Sequence, residues 1–160
     1  MTSVGSNVPA TPLAYMGKEG PEEVSLDKLS AGKRIAVFAV PGAFTPTCSA
    51  QHLPGYLKHA DALRKKGIDT IACVSVNDAF VMRAWGEKAS VGDNVLLLAD
   101  GNGEFTKAMG MELDASAFGM GNRSKRYSML VEDGVIKILN EEENASKAEA
   151  SGAEALLKQL

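Results

Sequence analysis

Apolar residues fall along this chain in two rhythms. Residues 34–40, Arg-Ile-Ala-Val-Phe-Ala-Val, form a β-branched apolar run bounded by Gly32 and by Pro41-Gly42. An apolar run without alternation predicts a strand covered on both faces. Residues 69–76 repeat the signal, and 95–99 repeat it more briefly. Between the first two runs, Leu53, Tyr56, Leu57, Ala60 and Leu63 recur at the spacing of an amphipathic helix. Lys65-Lys66-Gly67 stops that helix with cations in its last turn and a glycine beyond. Pro54 falls inside the pattern and predicts a kink. Asn77-Asp78 offers an N-cap for a second helix through about Lys88, which carries Phe80, Val81 and Trp85. A turn at Asp100-Gly101-Asn102-Gly103 precedes a short helix, Glu104 to Met109. Residues 126–131 and 135–139 flank Glu132-Asp133-Gly134 and predict a hairpin. Residues 146–160 read as a helix with two competing capping boxes, Ser146-x-x-Glu149 and Ser151-x-x-Glu154. Residues 1–12 are small and polar with two prolines, a mobile or edge-packed terminus.

The resulting order is strand, helix, strand, helix, strand, short helix, hairpin, helix. It opens with parallel crossovers and closes with an antiparallel pair. We expect an α/β fold, a mixed central sheet with helices on both faces, in a thioredoxin-like arrangement. One domain over residues 1–160 is long enough to bury a core.

Composition narrows the function classes. Hydrophobic residues make up 45% and charged residues 23%, a globular mix that excludes wholesale disorder. The net charge of −3 argues against a nucleic-acid binder. No apolar run approaches the roughly 18 residues of a membrane span. The first residues lack the basic and apolar regions of a secretory signal, and no clear transit peptide stands out. Two cysteines make no disulfide framework, so the expected location is the reducing cytoplasm.

Cys48 is the first candidate for chemistry. It lies just beyond a buried strand, near the start of the first long helix, where unpaired N–H groups and the helix dipole favour a thiolate. Such cysteines titrate between about 3.5 and 7.5, against roughly 8.5 for a free thiol. The plainer reading is a small buried hydrophobe. Thr45 precedes Cys48 by three residues, so one helical turn can set its hydroxyl beside the sulfur, or it can simply cap the helix.

The run Pro41-Gly42-Ala43-Phe44-Thr45-Pro46-Thr47-Cys48 resembles the Pro-x-x-x-Thr-x-x-Cys motif of the peroxiredoxins. The flanking segments, HLPG at 52–55, VSVNDAFVM at 74–82 and GNRSKRYSMLVEDGVIK at 121–137, are similar to the type II, peroxiredoxin-5-like branch. The resemblance covers roughly residues 30–140. It implies a thiol-dependent peroxidase that reduces hydrogen peroxide and alkyl hydroperoxides without metal, haem or flavin. Cys48 would attack the O–O bond and become a sulfenic acid. Thr45 would bond the peroxide and thiolate, Pro41 would shield the sulfur, and Arg123 would be the distant arginine that stabilises the thiolate. The amides of Thr47 and Cys48 would complete the donor set. Lys125 and Arg126 read as solvated cations.

Type II relatives also imply a homodimer, across which the loops bearing Phe44, Phe80 and the segment before Gly121 meet. Read from composition alone, Phe44, Phe80, Trp85 and Phe118 belong to the core. Leu113 and Phe118 would line an apolar mouth suited to alkyl hydroperoxides. Cys73 sits mid-strand and reads as an inert core thiol, although some relatives have a cysteine there that has been considered a partner for the first. The C-terminal region lacks the resolving cysteine of some relatives. The expected cycle therefore uses one cysteine, reduced by glutathione with glutaredoxin or by thioredoxin. Three other readings are a thiol–disulfide oxidoreductase, a redox sensor and an inactive relative. The first is disfavoured because Thr45 stands where the first cysteine of Cys-x-x-Cys would be.

His52, four residues after Cys48, can face the same side of the helix and tune the pocket, but reads first as a partly exposed surface histidine; His59 has no visible partner, and without Cys-x-x-Cys the two make no zinc site. The run from Asp100 is no calcium loop, since Phe105 and Met111 hold its glycine and glutamate positions. Gly119-x-Gly121 is no dinucleotide fingerprint.

Overall fold

The apolar run at 34–40 becomes the central strand β3 (Arg34–Val40) of the computed structural model, which describes residues 2–160. Its covering on both faces follows from period-two alternation. Ala36, Phe38 and Val40 enter one core, while Ile35, Val37 and Ala39 enter a second core on the opposite face. Strand β4 (Thr70–Ser75) runs parallel to β3, and β5 (Leu96–Ala99) runs parallel to β4. Between them come the helices α2 (Leu53–Lys58), α3 (Ala60–Lys65) and α4 (Ala79–Ala89). Their apolar residues Leu53, Tyr56, Leu63, Met82 and Trp85 build the first core. Asp78 caps α4 by accepting the Val81 amide at 2.8 Å.

On the other edge, β8 (Tyr127–Glu132) runs antiparallel to β3, and β9 (Val135–Glu141) antiparallel to β8. Asp133 and Gly134 turn this hairpin with φ of 46° and 79°, the paired left-handed conformations of a tight turn. The short helix α5 (Glu104–Met109) lies where its sequence predicts and packs Phe105 and Met109 into the second core with Leu26, the first residue of the short helix α1 (Leu26–Leu29).

Several elements were not legible. A hairpin of β1 (Leu13–Gly17) and β2 (Gly20–Val24) extends the sheet to the order β2-β1-β5-β4-β3-β8-β9. A separate ribbon pairs β6 (Glu112–Asp114) with β7 (Asn122–Ser124). The N-terminal residues pack on the sheet edge: the amides of Gly5 and Val8 bond the carbonyls of Ile136 and Gly134 at 2.8 Å each. The tail helix, α6 (Ala153–Gln159), is half the predicted length, and neither capping box forms. Gly152 is its cap, and Ser151 is turned inward to a buried carboxylate. Pro54 does not kink a regular helix. A π-helical turn precedes it, and the helix yields only at His59. Trp85 is buried as expected, whereas Phe44, Phe80 and Phe118 are 52%, 67% and 82% exposed.

Candidate active site

The loop after β3 turns into helical residues 46–58. Pro46 takes the first helical position, where a missing N–H costs nothing. The Thr45 carbonyl accepts the Ser49 amide at 3.0 Å. Cys48 thus stands in the first turn, among amides with no carbonyl a turn earlier. The π-helical turn Cys48–His52 ends where Pro54 requires it, because a proline ring clashes with the carbonyl four residues back.

Cys48 is fully buried. The Thr45 hydroxyl lies 2.9 Å from its sulfur and 2.6 Å from the Gly42 carbonyl. That hydroxyl has one proton, so it cannot donate to both. It donates to an anionic sulfur; beside a thiol it accepts the S–H and donates to Gly42. The second donor is Arg126, 2% exposed, whose Nη2 reaches the sulfur at 3.0 Å. Its other arms are committed: Nη1 donates to His52 Nδ1 and Nε to the Ala145 carbonyl, each at 2.9 Å. A guanidinium only donates, so Nδ1 of His52 is bare and Nε2 carries the hydrogen, donated to the Ser151 carbonyl at 2.9 Å. Burial, followed by the Arg126 charge, holds His52 down to about 3, partly opposed by its bond to Ser151. His52 is a neutral strut behind a cation.

The C-terminal segment holds this cluster from outside. Tyr56 donates to the same Ser151 carbonyl at 2.9 Å, and Thr47 donates to the Ser146 carbonyl at 2.9 Å. The buried Glu142 carboxylate accepts both the amide and the hydroxyl of Ser151 at 2.6 Å. On the opposite side, Asn77 Oδ1 accepts the Ala43 amide at 3.0 Å and pins the loop carrying Phe44, whose φ is 66°.

The structure corrects several expectations. Arg123 does not reach the sulfur. It lies on the β6–β7 ribbon, and its Nη1 and Nε donate to the carbonyls of Pro41 and Met120 at 3.3 and 3.0 Å. Arg126, read as a solvated cation, holds the place assigned to Arg123, while Lys125 pairs with Glu141 at 3.1 Å. The reason is alternation. On β8, Leu130 and Ser128 lie opposite Ala36 and Phe38, on the face of the Cys48 helix. Two residues further back comes Arg126. His52 is buried rather than a partly exposed surface residue, and the spacing of four from Cys48 that lets it share that side of the helix sets it behind the site. The Thr47 side chain is spent on Ser146, so only its amide is free to face the site. Leu113 borders a groove of about 400 Å³ with Lys125, Arg126 and three glutamates. Phe118 is not among its walls, so the expected shared apolar mouth is absent there. Pro41 is buried beside the site. Cys73 is buried mid-strand opposite Phe38, and burial, then Cys48, pushes its thiol well above the usual range. Among the described residues, no group of three His, Cys, Asp or Glu could hold a metal ion.

The redoxin family profile matches residues 3–157. Chloroplastic peroxiredoxin-2E of Arabidopsis thaliana is 51% identical over 99% of this chain and 69% of its own length. Peroxiredoxin-2C of Oryza sativa subsp. japonica is 45% identical over 99% of this chain and 98% of its own. The crystal structure of reduced Prx3 from Vibrio vulnificus in complex with hydrogen peroxide superimposes with a TM-score of 0.94, at 49% identity, over 99% of both chains. A buried cysteine between a hydroxyl and a guanidinium, on this sheet and in this sequence context, leaves one assignment: the chain belongs to the redoxin family, among the type II peroxiredoxins, and is a thiol-dependent peroxidase.

Proposed function

We propose that the chain reduces hydrogen peroxide and alkyl hydroperoxides through a Cys48 sulfenic acid, in a one-cysteine cycle. The observation that carries this reading is the convergence of Thr45 and Arg126 on one buried sulfur, at 2.9 and 3.0 Å. In the oxidation step the thiolate donates an electron pair to the near peroxide oxygen. The O–O bond breaks, and the departing oxygen leaves as water or alcohol after taking a proton. Charge thus moves off the sulfur toward the leaving oxygen. Arg126 keeps two N–H groups uncommitted beside its three bonds, and these are suited to the peroxide oxygens. Preorganised donors of this kind are worth about 10²- to 10³-fold each in rate. Hydrogen peroxide bound to the V. vulnificus relative supports the substrate class.

Cys73 supports the one-cysteine cycle, being buried in a paired strand with its thiol held protonated. The reductant is then an external thiol: glutathione with glutaredoxin, or thioredoxin attacking directly. The exposed Phe44, Phe80 and Phe118 support a homodimer, since exposed aromatics favour burial against a second copy. Two free cysteines suit a reducing compartment, which we take to be the cytoplasm, with the whole chain working as one thioredoxin-like domain.

The test mixes pre-reduced protein with one equivalent of hydrogen peroxide and follows intact mass with a sulfenic-acid trap. Trapping at Cys48 is expected to vanish in Cys48→Ser and to persist in Cys73→Ala. Slow, unselective oxidation would refute the peroxidase, and a stoichiometric Cys48–Cys73 disulfide during turnover would refute the one-cysteine cycle.

A further inference from the structure

Two arginines stand at the reactive sulfur's loop, and only one has an electrical partner. Arg126 faces Cys48, which supplies the matching charge when it is a thiolate. Arg123 meets no carboxylate: among the described residues the ion pairs are Arg34–Glu132, Arg64–Asp61, Arg83–Glu87 and Lys125–Glu141. Neutral carbonyls, those of Met120 and Pro41, hold it in place. The chain makes room for it. A Cβ on Gly42 would lie 2.7 Å from Arg123 Nη1, 3.2 Å from the Thr45 methyl and 3.3 Å from the Met120 methyl. A side chain there would shift the guanidinium away from its present place against the loop beside the catalytic threonine. Two of its five N–H groups are committed, and a fixed guanidinium with donors to spare matches the geometry of a carboxylate.

Charge accounting selects the half-cycle. In the thiolate form that attacks peroxide, Cys48 offsets one of the two guanidinium charges. The sulfenic acid is neutral, so oxidation leaves both charges unmatched and the site becomes more attractive to an anion. We propose that Arg123 binds the carboxylate of the thiol that reduces the Cys48 sulfenic acid, and that this reductant is a small peptide thiol bearing a free carboxylate. The proposal rests on the one-cysteine reading above. The reductant's thiolate attacks the Cys48 sulfur, the S–O bond breaks, and the hydroxide takes a proton and leaves as water. A second thiol attacks the reductant's sulfur in the mixed disulfide, forming the reductant's own disulfide and returning Cys48 as thiolate. The two thiols supply the two electrons that the sulfenic sulfur gains.

In the experiment, pre-formed Cys48 sulfenic acid is mixed by stopped flow with glutathione or with uncharged 2-mercaptoethanol. Wild type, Arg123→Met and Arg123→Lys are compared. The ratio of the two rate constants is expected to fall roughly fivefold in Arg123→Met and to recover in part in Arg123→Lys. Added salt should lower the wild-type ratio. An unchanged ratio, or equal losses with both thiols, overturns the proposal. A parallel arm compares tert-butyl hydroperoxide with a fatty-acid hydroperoxide in the oxidation step. A ratio change confined to that arm assigns the carboxylate to the peroxide and overturns the reductant assignment. Failure to trap a wild-type sulfenic acid refutes the peroxidase reading itself, and it shows before any thiol is added.

Discussion

Changing His52 to Asn should remove one protonation event from the folding equilibrium. In the native protein His52 accepts from Arg126 and donates to Ser151, so a second ring proton would meet a guanidinium N–H head on. Burial and that charge lower it from 6.5 to about 3. A group depressed in the folded state contributes stability that is complete above its unfolded value. That stability is lost as pH falls from about 6.5 toward 3, because the unfolded chain takes up a proton the native chain refuses. At about 1.4 kcal/mol per pH unit, the wild type loses roughly 2.5 kcal/mol between pH 6.5 and 4.5 from this residue alone. The variant keeps an acceptor near the Nδ1 position and nothing that titrates. Urea unfolding of both proteins at pH 7.5 and 4.5 measures the difference, and the titrating groups that the two share cancel in it. Parallel pH dependences would refute the neutral strut, because they would mean that His52 binds its proton equally well in the folded and unfolded chain.

Thr45→Val should lower the rate of Cys48 with hydrogen peroxide by about 10²- to 10³-fold, while Thr45→Ser keeps most of it. Equal losses in the two variants would point to the methyl group rather than the hydroxyl. Arg126→Lys should cost about 10²-fold in the same stopped-flow assay, since an ammonium cannot span the sulfur, His52 and the Ala145 carbonyl together. A wild-type rate in Arg126→Lys would refute the forked role. Cys73→Ala should leave turnover with external thiol intact and lower stability by ~1–2 kcal/mol, read from a denaturant melt. Phe80→Asp should convert a dimer to a monomer in sedimentation, and an unchanged sedimentation coefficient would move the interface elsewhere.

The central strands were legible because their coverage leaves a plain mark: an apolar run like Ile35 to Val40 has no polar face to lose. The turn at Asp133-Gly134 and the cap at Asp78 were legible because single residues carry them. The β1–β2 hairpin was not, because Gly20-Pro21-Glu22-Glu23-Val24 is an edge strand with its charges in water and only weak alternation. The tail helix came out too long because Ser151 spends its hydroxyl on Glu142, a partner 9 residues away that local capping rules do not see. At the site, Cys48 and Thr45 share one helical turn, and the motif predicts their contact. Choosing between Arg123 and Arg126 needed the register of β8 on β3, since both arginines sit in one tetrapeptide, Arg123 within the β6–β7 ribbon and Arg126 just before β8.

The sulfur also depends on residues far along the chain. Cys48 meets Arg126 78 positions later, and His52 meets the Ser151 carbonyl 99 positions later. During synthesis the cysteine leaves the ribosome well before either partner. A nascent chain that has not reached Arg126 therefore lacks the guanidinium that faces the sulfur. The full donor set at Cys48 assembles only once these later segments fold back onto it, so until then the sulfur lacks one of the two groups that converge on it.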